Sequence, residues 1–178
     1  MVSQVETPVF DSKRSPNLCV EGLVQVFTSP HRSFFTSVMA QALRIASQGT
    51  PVLIVQFLKG GIRQGHDRPI QLSQHLDWLR CDIPRCIDTP QLDEEELRSL
   101  LDLWQHTQDM VYQGRYDLVV LDELSLAIGF GFVPEAEVLD FLQRRPPHVD
   151  VILTGPDMSP ALLDIADQIT ELRRSHQP

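Results

Sequence analysis

The chain has 178 residues, a length that supports one domain with a full core and is short for two. Its 42% hydrophobic and 22% charged content is that of an ordinary globular protein. A net charge of −9 argues against a nucleic-acid partner and gives no basic face for an anionic membrane.

Residues 1–17 are polar, broken by Pro8 and Pro16, and show no period; they read as a flexible N-terminal arm ahead of a single domain at 18–178. The arm has no apolar signal-peptide core, and no apolar stretch in the chain approaches the ~20 residues that span a bilayer. Cys19, Cys81 and Cys86 form an odd, sparse set that suits a reducing cytoplasm better than a disulfide framework. From Gly22 onward, apolar runs alternate with helical patterns. The runs are Leu23–Phe27, Val52–Phe57, Leu118–Leu121 and Val149–Leu153, with a weaker one near Cys81–Ile87 and another at Gln168–Leu172. Near-continuous apolar runs fit strands buried on both faces, so 23–27, 52–57, 118–121 and 149–153 are expected as parallel neighbours in one sheet.

Between them lie the helices. Phe35–Ser47 carries Val38, Ala42, Leu43, Ile45 and Ala46 at three- and four-residue spacings and stops near Gly49. Asp93–Gln113 places Leu97, Leu100, Leu101, Trp104 and Val111 on one face. Its acidic opening suits the helix dipole and Gly114 its C-terminal cap. Pro134 and Ser159–Pro160 begin two more helices, proline being tolerated in a first turn. Strands alternating with helices predict a three-layer α/β domain.

The strongest chemical signal is YDLVVLDEL, residues 116–124, where a buried strand ends in Asp122 and Glu123. Ligands of open α/β sheets bind at the carboxyl ends of the strands, where one acid can hold Mg²⁺ and the next can orient a water or substrate group. The alternative is an Asp capping the next turn beside a solvated Glu. VLIVQFLKGG brings Gln56 and Lys59 to the same rim, and VILTGPD brings Thr154 and Gly155; turn chemistry accounts for each separately. At the first strand end, VFTSPHRSFFTS stands where a phosphate loop would begin a helix. Such a loop needs inward N–H groups, glycines and a Lys. Pro30 has no N–H, and no Gly-Lys pair exists in the chain. Arg32 and His31 remain able to meet an anion at the helix start. His75, Cys81 and Cys86 match no zinc spacing and lack a fourth ligand. Trp78 and Trp104 fall at apolar helical positions that suit core packing. His106 and His148 are lone histidines among surface-like residues.

From Gly22 to Arg173 the chain resembles the P-loop type ATP:corrinoid (cob(I)alamin, cob(I)yrinic acid a,c-diamide) adenosyltransferases. GLVQVFT, ALRIASQGTPVLIVQFLKGG, YDLVVLDELSLAIGFGFVPEAEVLDFLQRRPPHVDVILTG and LLDIADQITELR look like that family's successive blocks, in order. The resemblance implies a P-loop NTPase-like (RecA-like) domain, a mostly parallel sheet flanked by helices, working as a homodimer. It implies transfer of the adenosyl group of ATP to the reduced cobalt of a corrinoid, with Mg²⁺ near a loop reading GNGKGKTT. Aligned from Thr28, that loop falls on Ser29, Pro30, His31, Arg32, Ser33, Phe34, Phe35 and Thr36. Its three glycines become Ser29, His31 and Ser33, its phosphate lysine Phe34 and its Mg²⁺-binding threonine Phe35.

The family's aromatic Phe-Thr-Trp loop against the corrinoid is matched here by CIDTPQLDEEE, which has no aromatic residue, and the basic tail after the ELRP block is replaced by RRSHQP. Retained rim positions are Gln56, Lys59, Asp122, Glu123, Thr154 and Gly155, with Asp122 the Mg²⁺ ligand if nucleotide binds. Three functions are thereby opened. One is a non-catalytic binding or regulatory homologue with a degenerate loop and an unidentified protein partner. The second is a divergent, active ATP:cob(I)alamin adenosyltransferase of cobalamin biosynthesis or salvage, using ATP, Mg²⁺ and a corrinoid. The third is a corrinoid-binding carrier. Phe34 and Phe35 are expected to differ in exposure, at least one ring folding over the former phosphate space.

Overall fold

The computed structural model describes residues 21–60 and 70–173, so the arm at 1–17 and Cys19 lie outside the described residues. The elements run β1 (Val24–Ser29), α1 (Thr36–Ser47), β2 (Val52–Gln56), β3 (Ile70–Ser73), β4 (Leu76–Arg80), α2 (Glu94–Tyr112), β5 (Leu118–Asp122), α3 (Leu124–Gly129), α4 (Glu135–Arg144), β6 (Asp150–Pro156), α5 (Pro160–Asp164) and β7 (Gln168–Glu171). They form one seven-stranded sheet in the order β3-β4-β2-β5-β6-β1-β7. Every pairing is parallel except β3 with β4. The four main runs are therefore neighbours in the central sheet, as their two-sided apolar character requires.

The sheet is covered unequally. On one face α2, α3, α4 and α5 pack over Val26, Leu53, Val55, Val119, Leu121, Val151 and Leu153. Trp104 sits edge-on to Phe57 and Phe141, with ring centroids 6.0 and 5.3 Å away. On the other face α1 lays Phe35, Val38, Met39, Ala42 and Ala46 on Val52, Ile54, Leu118, Val120 and Ile152. Local chemistry sets the helix ends. Asp93 accepts from the Glu95 and Glu96 amides and the Glu96 side chain reaches back to the Asp93 N–H, a capping box. Gly114 follows α2 with φ 66°, where a side chain would be strained. Ser159 caps α5 with Pro160 in its first turn.

Several expectations need correction. The weak run Cys81–Ile87 is not a strand; the strand lies just before it at Leu76–Arg80. Pro84 has no N–H for a ladder, and Ile83 and Ile87 instead bury their side chains from a turn. Trp78 is on that strand and not on a helix: Leu76 and Leu79 face opposite layers, and their three-residue spacing imitates a helical one. The short α3 directly after Glu123 and the antiparallel edge strand β3 have no counterpart in the sequence reading. In α2, Leu97 and Leu101 are exposed while Leu100, Leu103 and Trp104 form the buried side. Pro134 precedes the first turn of α4 as its N-cap. No described helix is long and apolar enough to cross a membrane.

Candidate functional site

Parallel pairing puts the carboxyl ends of β1, β2, β4, β5 and β6 on one rim. The register places Gln56 beside both Arg80 and Asp122, and Phe27 beside Thr154. Asp122, fully buried, is held on three sides. Its Oδ2 accepts from Gln56 Nε2 at 2.7 Å and from Lys59 Nζ at 2.6 Å, and its Oδ1 accepts from Thr154 Oγ1 at 2.6 Å. The Thr154 oxygen in turn accepts the Glu123 N–H at 3.2 Å. Gln56 passes the network outward, its Oε1 accepting from Trp78 Nε1 at 3.0 Å and Arg80 Nε at 2.7 Å. The buried side-chain polar atoms of Gln56, Asp122 and Thr154 are thus all partnered, which makes this cluster rigid and costly to break.

Glu123 turns away from Asp122 because its backbone is left-handed, φ 63°, an uncommon conformation for a side-chain-bearing residue that starts α3 at once. Its carboxylate, 3% exposed, takes both prongs of Arg32: Nε at 2.6 Å and Nη2 at 2.7 Å. Arg32 also donates from Nη1 to the Ile87 carbonyl at 2.8 Å, joining the loop after β1, the end of β5 and the segment after β4. The Glu123 hydrogen bond holds the Arg32 guanidinium above its ordinary pKa. Gly155, at φ 144°, follows Thr154; a Cβ there would meet Ser125 Oγ at 2.1 Å. Ser125 is itself buried and donates to the Pro156 carbonyl.

The loop at 29–36 splits in two. Ser29, Pro30, His31, Arg32 and Ser33, with Glu171, Leu172 and Arg173, line an open recess of about 620 Å³. Ser29 Oγ donates within the loop to the His31 carbonyl. Phe34 and Phe35 do differ as expected, 53% against 3% exposed. Phe35 buries its ring in the layer between α1 and the sheet, not in the recess, which neither ring lines. Phe34 stays at the surface with Lys59 Nζ 4.4 Å from its ring centroid. Thr28 closes the pairing of β1 with β7 through its carbonyl, and Thr36 opens α1 on an exposed turn.

Gln56, Lys59, Asp122, Glu123 and Thr154 meet at the strand-end rim with Gly155 next to Thr154, and Arg32, which belongs to the loop at 29–36, joins them through Glu123. Arg80 was missed. It lies two residues after Trp78 on the same strand face, a signal visible only once 76–80 is read as a strand. His75, Cys81 and Cys86 do not converge. Cys81 is buried beside Ser99 Oγ, burial pushing its thiol up to about 11, and Cys86 is exposed. No group of three His, Cys, Asp or Glu is arranged for a metal among the described residues. Trp104 is a core residue, bonded through Nε1 to Glu137 at 3.2 Å, and His148 lies 3.9 Å from Asp117 at the surface.

The family described as ATP:corrinoid adenosyltransferase BtuR/CobO/CobP matches residues 20–178. Corrinoid adenosyltransferase CobA of Salmonella typhimurium is 32% identical over 152 residues, 85% of this chain and 76% of its own length. The corrinoid adenosyltransferase of Escherichia coli K12 is 30% identical over the same shares, and that of a Sinorhizobium species 26% identical over 170 residues, 89% of this chain and 75% of its own. With its α/β fold, its strand-end rim and this match over nearly its whole length, the chain belongs to the ATP:corrinoid adenosyltransferase family.

Proposed function

We propose that this chain is a corrinoid adenosyltransferase-like protein that does not carry out ATP-dependent adenosyl transfer and serves as a binding or regulatory homologue. One observation carries the reading: both carboxylates at the end of β5 are already neutralised from within, Asp122 by Lys59 and Glu123 by Arg32. Mg²⁺ binding needs open carboxylate oxygens and several ligand positions around the ion. Asp122 has no exposed surface and three donors in place, and the loop position of a metal-binding hydroxyl is the buried ring of Phe35. These residues do not fit Mg²⁺ or a triphosphate as they stand. Losing one preorganised donor costs about 10²–10³ in rate. Here a lysine, a threonine hydroxyl and a glycine-lined loop are all replaced, relative to the pattern the family resemblance implies. Such a homologue would act as a homodimer or through a protein partner.

A second reading, a divergent active enzyme, has one observation in its favour. The recess of about 620 Å³ beside Ser29, His31, Arg32 and Ser33 is open, with Arg173 at its side. MgATP titration by calorimetry together with a cob(I)alamin adenosylation assay separates the two. The proposal expects neither micromolar MgATP binding nor turnover; both together would establish the second reading. A visible-spectrum shift with cobalamin alone would favour a carrier. Replacing the loop with Ser29→Gly, Pro30→Asn, His31→Gly, Arg32→Lys, Ser33→Gly, Phe34→Lys and Phe35→Thr, together with Lys59→Met to free Asp122, should restore MgATP binding while transfer stays weak.

A further inference from the structure

On the α1 face of the sheet, a groove of about 100 Å³ runs between α1 and β4. It is lined by Met39 and Ile54, both buried, by Leu43, half exposed, by the rings of Phe34 and Trp78, and by Arg80. Phe34 and Leu43 are 53% and 48% exposed, so water covers apolar surface here that a ligand would cover at a gain.

Arg80 makes this groove more than an apolar dent. Its guanidinium stacks over Trp78, 4.7 Å from the ring centroid, and its Nε is fixed by Gln56 Oε1. No carboxylate pairs with it among the described residues, because Asp122 is taken by Lys59 and Glu123 by Arg32. The rim therefore holds three cations, Arg32, Lys59 and Arg80, against two carboxylates, in a chain whose overall charge is −9. Burial pulls the Arg80 guanidinium below its ordinary pKa, outweighing the opposing pull of Cys86 and Asp122. A part-buried cation held in this way is stabilised by an anion supplied from outside.

We propose that this groove binds a small monocarboxylate bearing one ring or a short branched apolar chain, the carboxylate on Arg80 and the apolar part between Phe34 and Trp78. With Nε engaged, Nη1 and Nη2 present a planar pair of donors, the geometry that takes a carboxylate in two parallel bonds. The size follows from the volume: an apolar cavity of ~150 Å³ holds one benzene, and this groove is smaller but open on one side. The Trp78 and Phe34 rings that line it favour a flat tail by offset or edge contacts. The proposal does not depend on whether the chain transfers adenosyl groups.

The test uses the full chain and benzoate as the probe, followed by calorimetry and tryptophan fluorescence. Benzoate should bind saturably with a Kd of about 1 mM or tighter. Benzamide, which keeps the ring and loses the charge, and acetate, which keeps the charge and loses the ring, should each bind at least about tenfold more weakly. Arg80→Gln should lose about tenfold or more in benzoate affinity, Arg80→Lys should fall between, and MgATP should leave benzoate affinity unchanged. Equal binding of benzoate and benzamide, competition by inorganic phosphate at equal strength, unchanged affinity in Arg80→Gln, or absence of saturable benzoate binding would each overturn the proposal. If Arg80→Gln does not fold, the benzoate and benzamide comparison on the parent chain decides alone.

Discussion

Removing the Arg32 side chain tests the idea that the loop after β1 now stabilises the fold instead of holding a ligand. Arg32→Ala deletes two charge-assisted bonds to Glu123 and one bond to the Ile87 carbonyl, and strands a carboxylate that is 3% exposed. Breaking a fully buried pair from one side costs about 3–5 kcal/mol. Arg32 keeps 32% of its side chain in water, and its removal opens a path for water to Glu123, so the loss here is about 2–3 kcal/mol. For a domain of this size that lowers Tm by about 4–12 °C in a thermal melt. Arg32→Lys keeps the charge without the fork and should lose about half as much. Because the cost lies in the orphaned acid, adding Glu123→Gln to Arg32→Ala should recover about 1 kcal/mol or more, a coupling that a double-mutant cycle measures directly. A Tm unchanged in Arg32→Ala, or strict additivity of the two substitutions, would refute the reasoning.

Two further outcomes are expected. Gly60→Ala should destabilise by about 2–4 kcal/mol in urea melts, because its Cβ would meet the Arg85 and Ile83 carbonyl oxygens at 2.3 Å each, and backbone cannot yield as a side chain can; a neutral substitution there would mean that the 83–85 turn moves freely. Glu96, held well below the usual carboxylate range by Arg85 hydrogen bonds, should make stability pH-dependent. Its depressed folded pKa adds stability above its ordinary value of 4.5, and that increment is lost as pH falls through the folded value. Urea melts should therefore find Glu96→Gln less stable than the parent near neutral pH and equal to it in acid, and a gap that stays constant with pH would contradict the assignment.

Much of this architecture is readable from residue order because the physics involved is local or one-dimensional. Val52–Gln56 and Leu118–Asp122 are buried at every position, so burial on two faces leaves an unbroken apolar run in the sequence. Asp93, Gly114 and Pro160 mark helix ends because each acts on backbone groups a few residues away. Where an element is half buried that signal fades. In β4 only Leu76 and Leu79 are fully buried, on opposite faces, and a three-residue interval reads as helix. In α3, Leu124, Leu126 and Ile128 alternate like a strand, and only the left-handed Glu123 turns the chain into a helix.

The site divides in the same manner. That Gln56, Lys59, Asp122, Glu123 and Thr154 share a rim follows from strand ends in a parallel sheet, which the alternation of elements already implies. Which charge meets which does not follow. Arg32 and Glu123 are 91 residues apart and Lys59 and Asp122 63, and their pairing depends on the direction in which a loop leaves β1 and on one left-handed residue after β5. Likewise, sequence separates Phe34 from Phe35 by nothing, yet one ring is buried under α1 and the other stands at the groove beside Arg80. Periodicity records which residues avoid water on average, whereas ion pairing and the fate of a single ring are decided by distances of a few ångströms that exist only once the layers have packed.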